Sequence, residues 1–384
     1  MIYSSITAAR GKKFRAVFNC LLRRLVFMLN LSIRSLSYAV PSGRLTNGEI
    51  VDLFAEKYFR NLPKDDLEQL VYGSKRKLDF LEIRTRSYSL DYAEEGSVQM
   101  AARVSREAIA KAGMTPDDID LLLFVGVCNP FREPSYSIIL AHELGMTQGN
   151  YYDINDTCNG FLKALELSSL YINSGKYRNI LVVTSENPLE LLEASNFTGR
   201  VDTLAEADYK MNLFFAGAGA AAMLLTADSG EKSALYYGEE RNHADWELSL
   251  YVSPKIHMPT PRFEGMDFMS WADGRGIAAH VIRDMPAFVH RFLDEHEIVK
   301  DEIRYIFSHQ LGRNITNSLL NKLEVRTERV FPVNTFPDYG NMGSANIPIG
   351  LCMAEEQGLL CKGDSILLLG SACGLTYGAA YILW

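Results

Sequence analysis

An α/β protein of stacked layers, with one strand-and-helix unit built twice, is what this sequence predicts. Three observations carry the prediction. Through the first half, buried-strand runs alternate with helical patterns that stop at glycine, the pattern of helix-covered and largely parallel sheets. Segments of the first half return in the second: Pro116-Asp117-Asp118-Ile119-Asp120 before LLLFVGV is echoed by Asp301-Glu302-Ile303-Arg304 before YIFSH, and KYRNILVVT at 176–184 by KGDSILLL at 362–369. Each half also closes on a glycine-rich segment running into an apolar strand, at 217–225 and 370–383. The join is expected near 227–232, giving halves of 28–228 and 229–384 behind an extension at 1–27.

The extension interleaves Arg10, Lys12, Lys13, Arg15, Arg23 and Arg24 with apolar residues, and no acidic residue precedes Glu49. Arg23 and Arg24 interrupt any apolar run that a secretory signal would need, and nothing reaches the length of a transmembrane helix. A basic amphipathic leader and a start at Met28 are the two readings. Residues 29–38 then suit a first strand, followed by the turn Pro41-Ser42-Gly43 and a capped helix start at Thr46-Asn47. A helix at 95–111 ends at Gly113. The Thr-Pro cap of TPDDID leads to a buried strand at 121–127, and the loop CNPFREPS precedes an apolar helix at 137–144.

The stretch at 151–186 is the centre of the chain. Alternation at 151–156 suggests a strand, while Phe161, Leu165, Ser168 and Ile172 recur at helical spacing. Cys158 sits at the turn between them, beside Asn159 and Gly160, where unpaired backbone N–H groups and the positive end of the helix favour thiolate over thiol. The competing reading is a buried, inert packing cysteine. After the stop at Gly175, 179–184 reads as a short strand pairing parallel to the strand at 151–156.

With 384 residues, 47% hydrophobic and 22% charged, the composition is that of a globular protein with a large core. A net charge of −8 and a pI near 5.5 offer nothing to nucleic acid or an anionic membrane. The six cysteines lack paired CxxC spacing and the seven histidines lack an HExxH pattern, so neither metal nor disulfide framework is expected and a reducing cytoplasm suits the chain. Two sites in the second half stand out. His309 follows the strand-like 305–307 and precedes a helix near Arg313, which puts it at a strand's carboxyl end; a structural histidine is the alternative. Asn341 lies in DYGNMGS, otherwise an ordinary tight turn.

DINDTCNGF around Cys158, SHQLGRN around His309 and YGNMGSANIP around Asn341 together resemble the three active-site blocks of ketoacyl-ACP synthase III, a family of thiolase-fold condensing enzymes. The similarity runs in order from about residue 29 to the end, through PDDIDLLLFVGV, AGAGAAAMLL and LLLGSACGLTYGAA. It implies a thiolase-like fold, five layers αβαβα from two similar halves, as a homodimer or as a heterodimer with a homologue. It also implies roles. Cys158 is the expected nucleophile, taking an acyl group from a CoA or acyl-carrier-protein thioester with no further cofactor. His309 and Asn341 serve decarboxylative condensation with a malonyl thioester, since both can donate to an enolate oxygen. The backbone N–H groups of Cys158 and of the Cys373–Gly374 turn form the oxyanion hole. No GxSxG elbow supports a serine hydrolase.

Several positions depart from the family pattern. Arg76 and Phe80 stand where a Trp and an Arg commonly hold the adenine of CoA, and a further CoA-contacting arginine falls near Asp208. Ala216 replaces a frequent Asp, and Ala372-Cys373 replaces glycines. Arg313 is a candidate for meeting an acidic carrier. Glu133, in FREPS, is similar to the glutamate that a partner subunit supplies as base in enzymes joining two acyl chains head to head for olefin biosynthesis; the competing role is capping the next helix. Three readings therefore stand: decarboxylative condensation, non-decarboxylative condensation with Glu133 as base, and a silent subunit paired with an active homologue.

Overall fold

The computed structural model describes residues 31–384 apart from 58, 132, 195–202, 205–210, 228–234, 252–269 and 326–332. The extension at 1–27, most of the expected join and Asp208 fall outside the described residues. In chain order the strands are β1 (Leu31–Ala39), β2 (Gly43–Thr46), β3 (Thr85–Tyr88), β4 (Leu121–Val125), β5 (Asn150–Ile154), β6 (Asn179–Glu186), β7 (Gly219–Ala227), β8 (Leu235–Arg241), β9 (Ser249–Tyr251), β10 (Ser270–Ala272), β11 (Tyr305–Ser308), β12 (Ser365–Ala372) and β13 (Thr376–Leu383).

Two sheets dominate. The first runs β1-β7-β6-β4-β5 and the second β8-β13-β12-β11. In the first, β4 pairs parallel with both β5 and β6 while β7 is antiparallel to β6 and β1. In the second, β11 and β12 are parallel and β13 is antiparallel to β12 and β8. The order β4-β6-β7-β1 is thus repeated as β11-β12-β13-β8. Even the short acidic turns recur, Pro116–Asp118 before β4 and Lys300–Glu302 before β11.

Strand alternation makes the layers. In β4, Leu121, Leu123 and Val125 face a core shared with the helices Gly160–Asn173 and Asn346–Glu356, whereas Leu122 and Phe124 face the helices Ser97–Lys111 and Tyr136–Leu144. In β12, Ile366 and Leu368 join that same central core, whereas Leu367 and Leu369 meet the helices Gly274–Glu295 and Arg313–Leu323. The stack is helix, sheet, helix, sheet, helix, as the thiolase-like prediction has it.

Two expectations are corrected. The sheets are mixed, not largely parallel, and β6 does not pair with β5, because β4 lies between them. The reason is burial: all five residues of β4 are buried, which calls for a neighbour on either edge, while β5 begins with two exposed residues and suits the rim. No helix among the described residues is long and apolar enough to cross a membrane.

Candidate active site

Cys158 lies on a bend. β5 ends at Ile154, and the short turn Thr157–Asn159 leads into the helix Gly160–Asn173. Thr157 takes φ +47°, where a β-branched residue is strained by about 1–2 kcal/mol. Its neighbours hold the bend in place. Arg241 donates to both oxygens of Asp156, at 3.0 and 3.1 Å. The buried Asn159 donates through Nδ2 to the Thr376 carbonyl at 3.0 Å, tying the bend to β13 of the other half. Gly160 lies so close to β4 that a Cβ there would collide with Val125 Cγ1.

The thiol itself departs from the sequence expectation. Burial pushes the Cys158 thiol well above its ordinary value, and the nearby Cys373 and Glu186 add to the shift, so the resting side chain is a neutral thiol. The helix start is present, but desolvation and an adjacent carboxylate outweigh it. Activation then needs a base.

His309 directly follows β11, and its backbone N–H donates to the Leu369 carbonyl at 2.8 Å, which carries the ring to the strand's carboxyl end. The residue is 5% exposed, beside a small cavity walled by Val281, Met285, Leu311, Leu319 and Leu369. That burial lowers the imidazole to about 4, with only the Gly343 carbonyl opposing the shift. Among the described residues neither ring nitrogen makes a hydrogen bond of good geometry, the Gly343 carbonyl being the nearby acceptor. A neutral imidazole carries one N–H and one lone pair, and with the Gly343 carbonyl as the nearby acceptor the lone pair stays uncommitted.

Asn341 follows the turn Phe336–Tyr339 and bridges to Ala216: its N–H donates to Phe215 O at 2.7 Å, and its carbonyl accepts from Gly217 at 2.8 Å. Its amide oxygen accepts from the Gly343 N–H at 2.9 Å. That bond sets which way round the amide sits and makes Nδ2–H2 its donor end. The turn Gly343–Ala345 packs in turn against Thr157–Asn159. Gly343 thus neighbours both Asn341 and His309, and the turn it begins packs against the segment that carries Cys158.

Cys373 and Gly374 (φ +95°) form the tight turn between β12 and β13, beside the Cys158 bend. Arg313 lies elsewhere: it is exposed, and its guanidinium donates to Glu82 at 2.7 Å. Arg76 rests over the Tyr72 ring at 5.8 Å, and Phe80 is exposed. Glu133 is exposed and makes no hydrogen bond or ion pair among the described residues. It does not cap the helix Tyr136–Leu144; Asp153 of β5 does, accepting from the N–H groups of Tyr136 and Ser137 at 2.9 and 2.8 Å.

Sequence reasoning missed Glu186. This buried carboxylate ends β6 and accepts from the N–H groups of Val127, Cys128 and Ser344 and from Ser344 Oγ–H. Its signal was there to find: a charged residue closing an otherwise apolar strand, NILVVTSE.

Two similar halves stacked in five layers, with the segment that carries Cys158 packed against the turn after Asn341, make a fold of the thiolase-like class. Residues 152–238 match the family model for 3-oxoacyl-[acyl-carrier-protein] synthase III, and residues 293–384 the model for that family's C-terminal part. The β-ketoacyl-[acyl-carrier-protein] synthase III of Helicobacter pylori strain J99 is 28% identical over 356 residues, covering 91% of this chain and 97% of that protein. The Aquifex aeolicus protein of the same name is 28% identical over 84% of this chain and 96% of its own length. Among solved structures, the Aquifex aeolicus synthase III aligns at a TM-score of 0.73 and 25% identity, covering 92% of this chain and all of that one. Cerulenin-bound OleA of Xanthomonas campestris aligns at 0.78 and 22% identity over 93% and 98%. The chain is thus similar to the ketoacyl-ACP synthase III enzymes, and these matches support a synthase III-like condensing enzyme of the thiolase superfamily, an acyltransferase.

Proposed function

We propose that the chain loads an acyl group from an acyl thioester onto Cys158 and then condenses it with a malonyl thioester, with loss of carbon dioxide, to give a β-ketoacyl product. In the first step the Cys158 sulfur attacks the thioester carbonyl while the lone pair of neutral His309 takes its proton. The N–H groups of Cys158 and the Cys373–Gly374 turn hold the oxyanion, and the carrier thiol leaves with the proton. In the second, the malonyl C–C bond breaks and its electron pair moves onto the thioester oxygen, to which His309 N–H and Asn341 Nδ2–H donate. The resulting carbanion attacks the acyl carbonyl and Cys158 leaves as thiolate, to be reprotonated.

The observation that supports this most is the committed amide oxygen of Asn341, which leaves that side chain a donor and not a base, while His309 keeps a lone pair with no donor on it among the described residues. The name shared by the curated relatives makes an acyl carrier protein one source of the thioester. A second reading, non-decarboxylative condensation with Glu133 as base for a second copy's site, draws on that side chain's exposure and on Asp153 having taken the capping role.

Trapped carbon dioxide separates the two. The protein is incubated with a panel of acyl-CoA and acyl-carrier donors and carboxyl-labelled malonyl-CoA. Release of label in step with product supports the decarboxylative reading. Product formed without malonyl-CoA, and lost in Glu133→Gln, supports the second. No product with any donor overturns both and leaves the silent subunit.

A further inference from the structure

We propose that Glu186 is a positioning residue for carbon–carbon bond formation: its buried carboxylate braces the turn after Asn341 against the end of β4 and so holds the Asn341 amide in place beside the Cys158 bend. The inference deepens the two-step reading above and rests on it.

Two independent observations carry it. The first is the hydrogen bonding. Oε1 accepts from Ser344 N–H at 3.1 Å, from Ser344 Oγ–H at 2.6 Å and from Val127 N–H at 3.0 Å. Oε2 accepts from Val127 N–H at 3.1 Å and from Cys128 N–H at 2.8 Å. Ser344 Oγ also lies 2.6 Å from Thr184 Oγ1. A hydroxyl has a single proton, so with Ser344 donating to Glu186, Thr184 donates to Ser344 and the chain of bonds runs one way. Each of these bonds has Glu186 as acceptor, which favours the carboxylate and opposes the upward push that burial gives its pKa. The second observation is steric. Gly343, between Asn341 and Ser344, takes φ +55°, and a Cβ there would stand 2.9 Å from Glu186 Oε1. The turn therefore runs flush against the carboxylate, with no room for a side chain.

The consequence is a division between the two steps. Loading uses the Cys158 sulfur, the His309 lone pair and the N–H groups of the Cys158 and Cys373–Gly374 turns, none of which Glu186 hydrogen-bonds; its charge acts on the Cys158 thiol only behind burial and Cys373. Condensation uses the Asn341 amide, whose oxygen is held by Gly343, the residue pressed on Glu186. In Glu186→Gln one oxygen becomes an NH2 group facing backbone N–H donors, so either the Ser344 side or the Val127–Cys128 side is released.

The experiment measures both half-reactions on the full chain, using the acyl-CoA that loads the wild type best and then malonyl-CoA. Intact mass follows the acyl adduct, and labelled carbon dioxide follows condensation. E186Q is expected to load within about threefold of wild type while condensation kcat falls roughly tenfold to a hundredfold, with the KM for malonyl-CoA little changed. Equal losses in both steps would mark a structural role only, and no loss in either would overturn the brace; both outcomes reject the inference. If E186Q fails to fold, Ser344→Ala, which removes one of the bonds and keeps the carboxylate, must show the same split at smaller size. Should the wild type form no adduct, the two-step reading itself fails. Should it condense without malonyl-CoA, the same ratio is read with a second acyl-CoA.

Discussion

Lowering the pH should destabilise this protein through His309 in a way that can be measured apart from everything else. In the unfolded chain the imidazole titrates near 6.5, whereas in the folded protein burial holds it down to about 4. Between those values the unfolded state binds a proton that the folded state refuses, so the stability present above pH 6.5 is lost as pH falls through the window and the loss levels off below 4. The gap is worth roughly 3 kcal/mol for a residue this buried, the Gly343 carbonyl offsetting only part of the desolvation. Other groups titrate in the same range, so the assay is a comparison: urea unfolding of wild type and His309→Gln at several pH values between 4 and 7.5. The wild type should lose about 3 kcal/mol more than the variant on acidification. Parallel curves would show that His309 is hydrated or bonded in the folded state, and the account of its neutral, uncommitted ring would fail. The same reasoning predicts a loading rate with no acid limb near 6.5, because the lone pair stays available until about pH 4.

Asn341→Ala should still form the acyl adduct but discharge it about a hundredfold more slowly on adding malonyl-CoA, seen as an adduct that persists; equal slowing of both steps would refute a donor role confined to the second. Gly160→Ala should cost about 1–3 kcal/mol in thermal or urea unfolding by driving a methyl into Val125, and adding Val125→Ala should relieve part of it; strictly additive losses would mean that the two residues do not press on each other. Arg241→Ala should change stability by under about 1 kcal/mol, since its side chain is about half exposed, yet alter the alkylation rate of Cys158 about threefold or more by loosening Asp156; an unchanged rate would remove the clamp from the account.

The layered architecture was legible because strand faces and helix faces repeat: the apolar run LLLFV at β4 and its echo at β11 announce two copies of one unit. Cys158, His309 and Asn341 were legible as motifs, whereas the packing of the Cys158 segment against the turn that begins at Gly343 was not, since the motifs contain that glycine but do not single it out. What local pattern could not give was anything set by distant partners. Pairing order depends on which strand is buried on both faces, so β4 came between β5 and β6. The charge state of Cys158 depends on a carboxylate and a second thiol from other strands, and the helix start alone pointed the wrong way. Asp153, Asp156 and Glu186 each look like loop or strand-end acids in the sequence, and only the fold reveals that they hold the helix Tyr136–Leu144, the bend and the turn after Asn341.

Three thiols lie near one another here, those of Cys128, Cys158 and Cys373, so the central claim is tested by finding which sulfur carries the acyl group. The protein is loaded from acyl-CoA in the absence of an acceptor, digested, and its peptides are weighed and sequenced by mass spectrometry. The acyl mass is predicted on Cys158 alone, with Cys128 and Cys373 unmodified and no adduct in Cys158→Ala. Label on either neighbour with Cys158 bare, or an adduct that survives Cys158→Ala, would contradict the account.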